Sequence, residues 1–556
     1  MGLLRPARLL KERLVPGHRA LAAGERAEIA AMAAALDPGY ADSVQSMPTD
    51  RNVIANGMDR VSGIFLQAPL LLAFRMAGYR PIIVYDSAGS GWNEEAYRLF
   101  GITDFVYFEN DLPAPGHPSA AVMNTVHDMS DLMAFRYRDI PVGKYALSTS
   151  MRRLRSGRLD LSDPSVRETV GAVLDDALRY TDAVARIVEA SAVDAALILD
   201  RGYSPQAQIF ECVMMRSGRA YTWNSAHRNG LMMLKGYHAG NMAEHPSTLS
   251  QDSWRAMKET AWTPDHWRAL HEEIETCYQT GEWFSGVRCQ VDKSFPDKAR
   301  LTEQLGLDPD RKTAVIFAHI FWDSTFFWGK DLFGDFESWF VAAVRAACSN
   351  TSVNWLIKIH PANVTKDSRE GITAEHSEVK VIRETVGELP PHVKIVPADT
   401  EIATHALFSV MDFCLTVRGT VGIEAACYGV PVVTAGTGRY DRRGFTIDPE
   451  TPEEYLAVLA DLQNMPPLPP ERTELARRFA YGLFLCRPAR MTSFRFFYER
   501  DAVASLRVSV AENAQRNPAE ADDIGKIAEW IRSESEDYWR SVAAKDEIRA
   551  PAEHDA

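Results

Sequence analysis

Apolar residues in this chain gather in short runs, and most runs stop abruptly at a charged or turn-forming residue. From position 79 two kinds of run alternate. RPIIVYD (80–86), DFVYFEN (104–110), AALILDRG (195–202) and RAYTWN (219–224) have the length and the β-branched or aromatic content of strands. Between them, 63–77, about 165–190 and 204–218 carry helical spacing. The alternation lapses over 247–309, a stretch rich in Trp, Glu and His that reads as helical. It restarts at RKTAVIFAHIFWD (311–323) and runs on through NWLIKIHP (354–361), VKIVPA (393–398), DFCLTV (412–417) and VPVVTAG (430–436). The tail reads as helical again, with FRFFYER (494–500) as an aromatic interruption. Strands separated by helices predict parallel sheets covered on both faces. The expected fold is α/β, with two Rossmann-like domains facing a cleft. The expected divisions are a helical extension over 1–50, a first domain over 51–305 with a helical insert near 247–305, a second domain over 306–465, and helices or a tail over 466–556 packing back on the cleft.

Length and composition narrow the class. A chain of 556 residues with 46% hydrophobic content calls for more than one domain. A net charge of −14, from 61 basic and 75 acidic side chains, argues against broad nucleic-acid binding. The seven cysteines are scattered without a CxxC pair, as expected for reduced thiols in the cytoplasm, and no structural zinc pattern is present. No apolar run reaches 18 residues, so no spanning helix is expected. At the N-terminus Leu3, Leu4, Leu9 and Leu10 lie among arginines in a helical pattern. A capping or dimerising helix accounts for them better than contact with a membrane surface.

In open parallel sheets, ligands bind beyond the C-terminal ends of the strands. Three motifs of the second block fall there. In LIKIHPA (356–362), Pro361 cannot donate the next ladder hydrogen bond and restrains the residue before it, so His360 is held at the strand end. Lys358 shares its parity, and phosphate or carboxylate suits both. In TVRGTVGIEAACYGVPVVTAG (416–436), Arg418, Gly419 and Thr420 form a turn, Gly422 opens a helix and Glu424 follows. Free N–H groups at such a helix start suit a phosphate, and Glu424 suits ribose hydroxyls or, as a plainer role, the helix dipole. In HIFWDSTFFWG (319–329), Trp322 is placed to stack on a sugar or base and Asp323 to orient an acceptor hydroxyl, unless these aromatics pack a domain interface.

The first block offers Asp59 in ANGMDRVSG (55–63), His127 with Asp128, and Arg201 and Tyr203 in DRGYSPQ (200–206). Asp59, Asp323 and Asp128 are the candidate bases, and Arg201, Tyr203 and Trp322 the candidate acceptor or sugar contacts. A basic cluster, STSMRRLRSGR (148–158), suits an anionic glycan or lipid, or is a solvated turn.

WLIKIHPA, GTVGIEAACYGVPVVTAG and RYDRRGFTIDPETPEEYLAVL (439–459) resemble bacterial capsule polysaccharide biosynthesis proteins, and VIFAHIFWD resembles a recurring opening of their C-terminal domain. The resemblance is clear over about 311–460 and weaker through DRGYSPQAQIFECVMMRSG and DIPVGKYALSTSMRR. It implies a GT-B-like glycosyltransferase whose C-terminal domain binds a nucleotide-sugar and whose N-terminal domain presents a glycan or lipid-linked glycan. It implies donor phosphate at His360, with Lys358, Arg418, Gly419, Thr420 and Gly422 around it, and donor ribose at Glu424. Some relatives transfer Kdo from a cytidine nucleotide. This chain departs at Ala362–Asn363, where many relatives have Ala-Glu. No metal or cofactor is expected beyond the nucleotide-sugar substrate, and no nucleic acid as partner. Peripheral attachment to the inner face of the cytoplasmic membrane, or to a polysaccharide assembly complex, is a further expectation. A polyol-phosphate transferase, a nucleotide-sugar epimerase and a noncatalytic glycan-binding or assembly protein stand as alternatives on the same architecture.

Overall fold

The computed structural model describes residues 16–86, 91–112, 119–287, 289–323, 326–370, 375–499, 506–516 and 520–540. Leu3, Leu4, Leu9 and Leu10 lie outside them. Two main sheets organise the chain. The first contains β1 (Arg51–Asn56), β2 (Tyr79–Tyr85), β3 (Asp104–Tyr107), β4 (Ala195–Ile198), β5 (Arg219–Ser225) and β6 (Leu231–Tyr237). The second contains β7 (Thr313–Phe317), β8 (Asn354–Lys358), β9 (Val393–Val396), β10 (Phe413–Thr416) and β11 (Val432–Thr434). A late strand, β12 (Ala489–Arg490), returns to the first sheet, giving the order β12-β6-β5-β4-β1-β2-β3 against β11-β10-β7-β8-β9 in the second. The second sheet is parallel throughout, and in the first only β6 and β12 run antiparallel to their neighbours. Both are doubly wound α/β units of the GT-B-like kind.

This order creates one switch point in each sheet. In the first, β2 and β3 lie to one side of β1 and β4 to the other; in the second, β8 and β9 lie to one side of β7 and β10 to the other. The loops beyond β1, β4, β7 and β10 therefore open the crevices in which such folds bind ligands.

The two units meet through these loops. Ile320, Trp322 and Phe327, all from the loop after β7, are buried in the core beneath the first sheet. Phe327 stacks on Tyr145 with centroids 5.9 Å apart. At Gly202 a Cβ would sit 2.2 Å from the Phe327 ring, and at Gly157 one would sit 2.5 Å from Phe321. Neither glycine is replaceable without moving the seam.

The middle helices, Gln251–Glu259 and Pro264–Thr280, bury Trp254, Leu270 and Ile274 against Val315, Leu356 and Val432 of the second sheet. The chain then crosses back. The Pro470–Tyr481 helix packs on the Thr420–Cys427 helix, β12 pairs with β6, and the Asp522–Ser533 helix packs on the Val61–Met76 helix. FRFFYER is no interruption of a helix: β13 (Phe494–Tyr498) forms a hairpin with β14 (Leu506–Val510). Three strands of the first sheet, β1, β6 and β12, escape the hydrophobic pattern, as does β14 of the hairpin. Each of the seven cysteines is a free thiol. Among the described residues no helix is long and apolar enough to cross a membrane.

Arg487 and Asp537 join the two crossings. Arg487, fully buried, donates to the Pro246 carbonyl at 2.7 Å and also to the carbonyls of Thr248 and Leu234. Its guanidinium lies 3.3 Å from Asp537, which also faces Lys235 of β6 at 3.4 Å and accepts from Ser250 N–H at 2.7 Å.

Candidate functional site

The site is built around the turn that follows β10. Gly419 N–H donates to Thr416 Oγ1 at 3.0 Å, and Thr416 Oγ1 lies 3.0 Å from His319 Nε2. Val417 N–H also donates to that nitrogen, at 3.3 Å. Nε2 is therefore an acceptor, and the neutral ring carries its proton on Nδ1. Burial holds the His319 pKa well below its usual value, with His360 and Arg418 adding to the effect. His319 thus braces the turn as a neutral ring.

Arg418 lies in that turn and is buried. It pairs with Asp331 at 2.5 Å and donates through Nε to the Thr437 carbonyl at 3.1 Å, while its Nη1 is buried without a partner. Beside it stands Arg439, which the sequence motifs did not single out. Its guanidinium reaches Thr420 Oγ1 at 2.8 Å, the Arg418 carbonyl at 3.0 Å and the Ser247 carbonyl at 3.2 Å. No carboxylate among the described residues lies within ion-pair distance of it, and burial pushes its pKa down to about 10. Two buried guanidinium groups thus share the first turn of the Thr420–Cys427 helix, with Asp331 paired to Arg418 and the buried Glu424 acting on Arg439 from beyond ion-pair distance. Gly422 has its own reason to be glycine, since a Cβ would sit 2.3 Å from the Tyr440 hydroxyl.

His360 falls beyond β8, as its Pro361 requires. Ala362 N–H donates to its Nδ1 at 3.1 Å, which leaves the proton of the neutral ring on Nε2. Burial, together with Lys366 and Lys358, pushes its pKa down to about 4. At neutral pH His360 therefore offers an N–H donor and not a positive charge. Lys358 acts on it through its charge alone: its Nζ turns onto the carbonyls of Ile359 at 2.8 Å and Pro397 at 3.1 Å, and burial lowers its pKa to about 8. It closes the ends of β8 and β9 and presents nothing to the cleft.

Glu424 is also engaged. Its carboxylate accepts the Tyr278 hydroxyl at 2.6 Å and a hydrogen bond from the Trp283 side chain. Tyr278 and Trp283 are buried and stacked 5.3 Å apart, so in this structure a ribose has no path to Glu424. Burial raises the Glu424 pKa to about 7. A carboxyl raised in the folded state contributes most below its unfolded pKa, and loses that contribution as pH rises through the folded value. Glu424→Gln stays neutral. Between pH 5 and 8 its stability relative to the wild type should rise by as much as about 3 kcal/mol. Urea midpoints across that range check this, and parallel profiles for the two proteins would refute it.

The opposite side of the seam comes from the first unit. Tyr203, beyond β4, donates its hydroxyl to Asp323 at 3.1 Å, and Lys366 pairs with the other carboxylate oxygen of Asp323 at 2.5 Å. Burial raises the Asp323 pKa, but Lys366, Arg152 and Tyr203 outweigh it and the net shift is downward. Arg152, from the basic cluster, lies 4.4 Å over the Tyr203 ring and 3.6 Å from Asp200. Asp200 opens DRGYSPQ; its one signal in the sequence is a carboxylate two residues beyond a buried strand.

Several expected contacts are reassigned by the geometry. Trp322 is only 8% exposed and lies under Lys366 at 4.6 Å and Arg155 at 5.4 Å, so it has no open face for a sugar. Arg201 is buried and donates to the carbonyls of Met242 and Phe327, stitching the seam. Asp128 is the N-cap of the Met129–Ala134 helix, accepting from Ser130 and Asp131. Hydrogen bonds, first of all from the Ser130 hydroxyl, hold its pKa below the usual range, which makes it a poor proton acceptor. Asp59 is exposed on the turn beyond β1. Thus His319, His360, Arg418, Gly419, Thr420, Asp323 and Tyr203 gather at the seam, whereas Lys358, Glu424, Trp322, Arg201 and Asp128 are turned to structural work.

No protein-family model and no curated protein matches the chain. Solved structures do. The KpsC β-Kdo 2,4 transferase of Thermosulfurimonas dismutans is 14% identical, over 52% of this chain and 79% of that one, with a TM-score of 0.33. The UDP-GlcNAc 2-epimerase of Neisseria meningitidis, bound to UDP-GlcNAc, is 11% identical over 78% and 96%, with a TM-score of 0.26. The glycosyltransferase VinC, in complex with dTDP, is 13% identical over 78% and 95%, with a TM-score of 0.23. At these identities and scores the likenesses carry no argument about substrate or chemistry, and the two-unit α/β fold rests on the sheet order itself.

Proposed function

We propose that the chain is a glycosyltransferase that moves a sugar from a nucleotide-activated donor to a surface or capsular glycan. The observation that carries this reading is the meeting of two switch points: one side supplies buried arginines, a helix start and the His360 N–H, the other a carboxylate and a tyrosine. The first side suits the phosphate of a donor, whose leaving oxygen gains charge as the glycosidic bond breaks. The second suits an acceptor hydroxyl. Placement between two units lets interdomain closure bring donor and acceptor together.

Calorimetric titration with CMP, UDP, CDP, GDP and ADP, each with and without magnesium, tests the reading. Selective binding of one nucleotide supports it and names the donor class; binding of none refutes it. Nucleotide-sugar turnover without any acceptor would reassign the chain to epimerisation. His360→Ala should weaken the selected nucleotide about 10- to 100-fold, the worth of one hydrogen bond to a charged group. Unchanged affinity in a folded variant would remove His360 from the donor site.

A further inference from the structure

We infer that Asp200 is the catalytic base, the carboxylate that takes the proton from the attacking acceptor hydroxyl. The inference rests on the glycosyl-transfer reading above. The other carboxylates near the strand ends are less suited. Asp128 is an exposed helix cap, and Asp323 is neutralised by Lys366 and Tyr203. Asp59 is exposed, and its titratable neighbours Tyr85 and Tyr97 belong to its own unit. Asp200 differs in position and in restraint, while its side chain stays as open as that of Asp323. It stands two residues past the end of β4, which borders the first sheet's switch point beside β1. One carboxylate oxygen accepts Gly202 N–H at 3.1 Å, and its own N–H donates to Gln206 Oε1 at 2.9 Å, so the group is fixed without being used up. A third of the side chain, 33%, remains open to solvent.

The groups that face Asp200 are Arg152, Asp323 and Lys366, with Tyr203 beside them. Burial raises its pKa and Asp323 adds to that, while Gly202 N–H, Arg152 and Lys366 pull it down; the net direction is upward, which strengthens it as a base. In the step itself, the acceptor O–H yields its proton to Asp200 as its oxygen bonds to the anomeric carbon. The bond from that carbon to the donor phosphate breaks, and the phosphate oxygen leaves with the electron pair. Asp200 then returns the proton to water. Arg152 is a positioning residue that favours the ionised carboxylate from 3.6 Å away.

The test uses the full chain and the nucleotide-sugar chosen by the calorimetric panel, with water as acceptor and free sugar as readout. Asp200→Asn should lower turnover about 100-fold or more, with the nucleotide Kd held within about two-fold. Asp128→Asn should leave turnover unchanged. Arg152→Gln removes a stabilising cation, so the acidic limb of the rate–pH profile should move to higher pH, which a merely structural role would not produce. Turnover by Asp200→Asn within about ten-fold of the wild type, or an unmoved limb in Arg152→Gln, overturns the assignment. If Asp200→Asn does not fold, the Arg152→Gln profile decides. A wild-type chain that binds nucleotide-sugar but transfers nothing, even to water, would instead overturn the reading beneath it.

Discussion

Asp537→Ala is expected to destabilise the chain by about 3–5 kcal/mol, the cost of breaking a buried ion pair from one side. Asp537 is 1% exposed, and the two cations facing it, Lys235 and Arg487, are fully buried. Removing the carboxylate leaves Arg487 with carbonyl partners alone and Lys235 with Glu244 and Glu536. It also strips the Ser250 N–H of its acceptor at the start of the Gln251–Glu259 helix. Urea denaturation should show a lower midpoint with little change in slope. A loss below about 1 kcal/mol would mean that the network is slack. Acid should act in the same direction. Burial raises the Asp537 pKa, but Arg487 and Lys235 outweigh it and the net shift is downward. Its contribution is therefore complete above the unfolded carboxylate pKa of about 3.9 and is lost as pH falls through the lower folded value.

Arg439→Met should behave in the opposite way, with a small change in stability and a large change in binding. Arg439 has no carboxylate within ion-pair distance among the described residues, and the buried Glu424 that feels its charge keeps the Tyr278 and Trp283 hydrogen bonds when the arginine is removed. The loss is three hydrogen bonds to neutral acceptors, set against relief from burying an uncompensated charge. A net change within about 2 kcal/mol is expected. The nucleotide that the wild type selects should bind about 100-fold or more weakly, because the first turn of the Thr420–Cys427 helix keeps only Arg418, itself shared with Asp331. Calorimetry and thermal denaturation on one preparation separate the two effects. Equal affinity in the variant would show that the arginine serves the fold alone.

Legibility in the sequence followed the physics of each element. All five strands of the second sheet stood out as short apolar runs; four of them run into Pro, Arg or Gly, and all but β9 are buried along their whole length, as expected of strands covered on both faces. β1 was hidden because RNVIAN begins and ends in polar residues, and β6 because LMMLKGY lacks β-branched residues and spends a lysine on a buried ion pair. The candidate site was half legible. His360 and the turn at 418–420 announced themselves by Pro and Gly punctuation. What the neighbours would do could not be read, since the groups that occupy them come from far along the chain: Tyr278 lies 146 positions from Glu424, and Tyr203 lies 120 from Asp323. Arg439 and Asp200 were passed over because each stands among other charges, in RYDRR and DRG, and no periodicity marks which of them turns inward.

The return of β12 to the edge of β6 bears on how the chain is made. The ribosome has delivered six strands of the first sheet by residue 237, yet the seventh, with the Arg487 that ties both crossings, arrives some 250 residues later. During all of that synthesis β6 presents an open strand edge, which is where an unfinished sheet recruits the wrong partner. The second unit must therefore fold while the first is waiting, inserted into it in time as it is in sequence. β12 covers only Leu231 and Met232, and Asp537 bridges Lys235 at the other end of β6, so this edge is closed only once residue 537 has emerged.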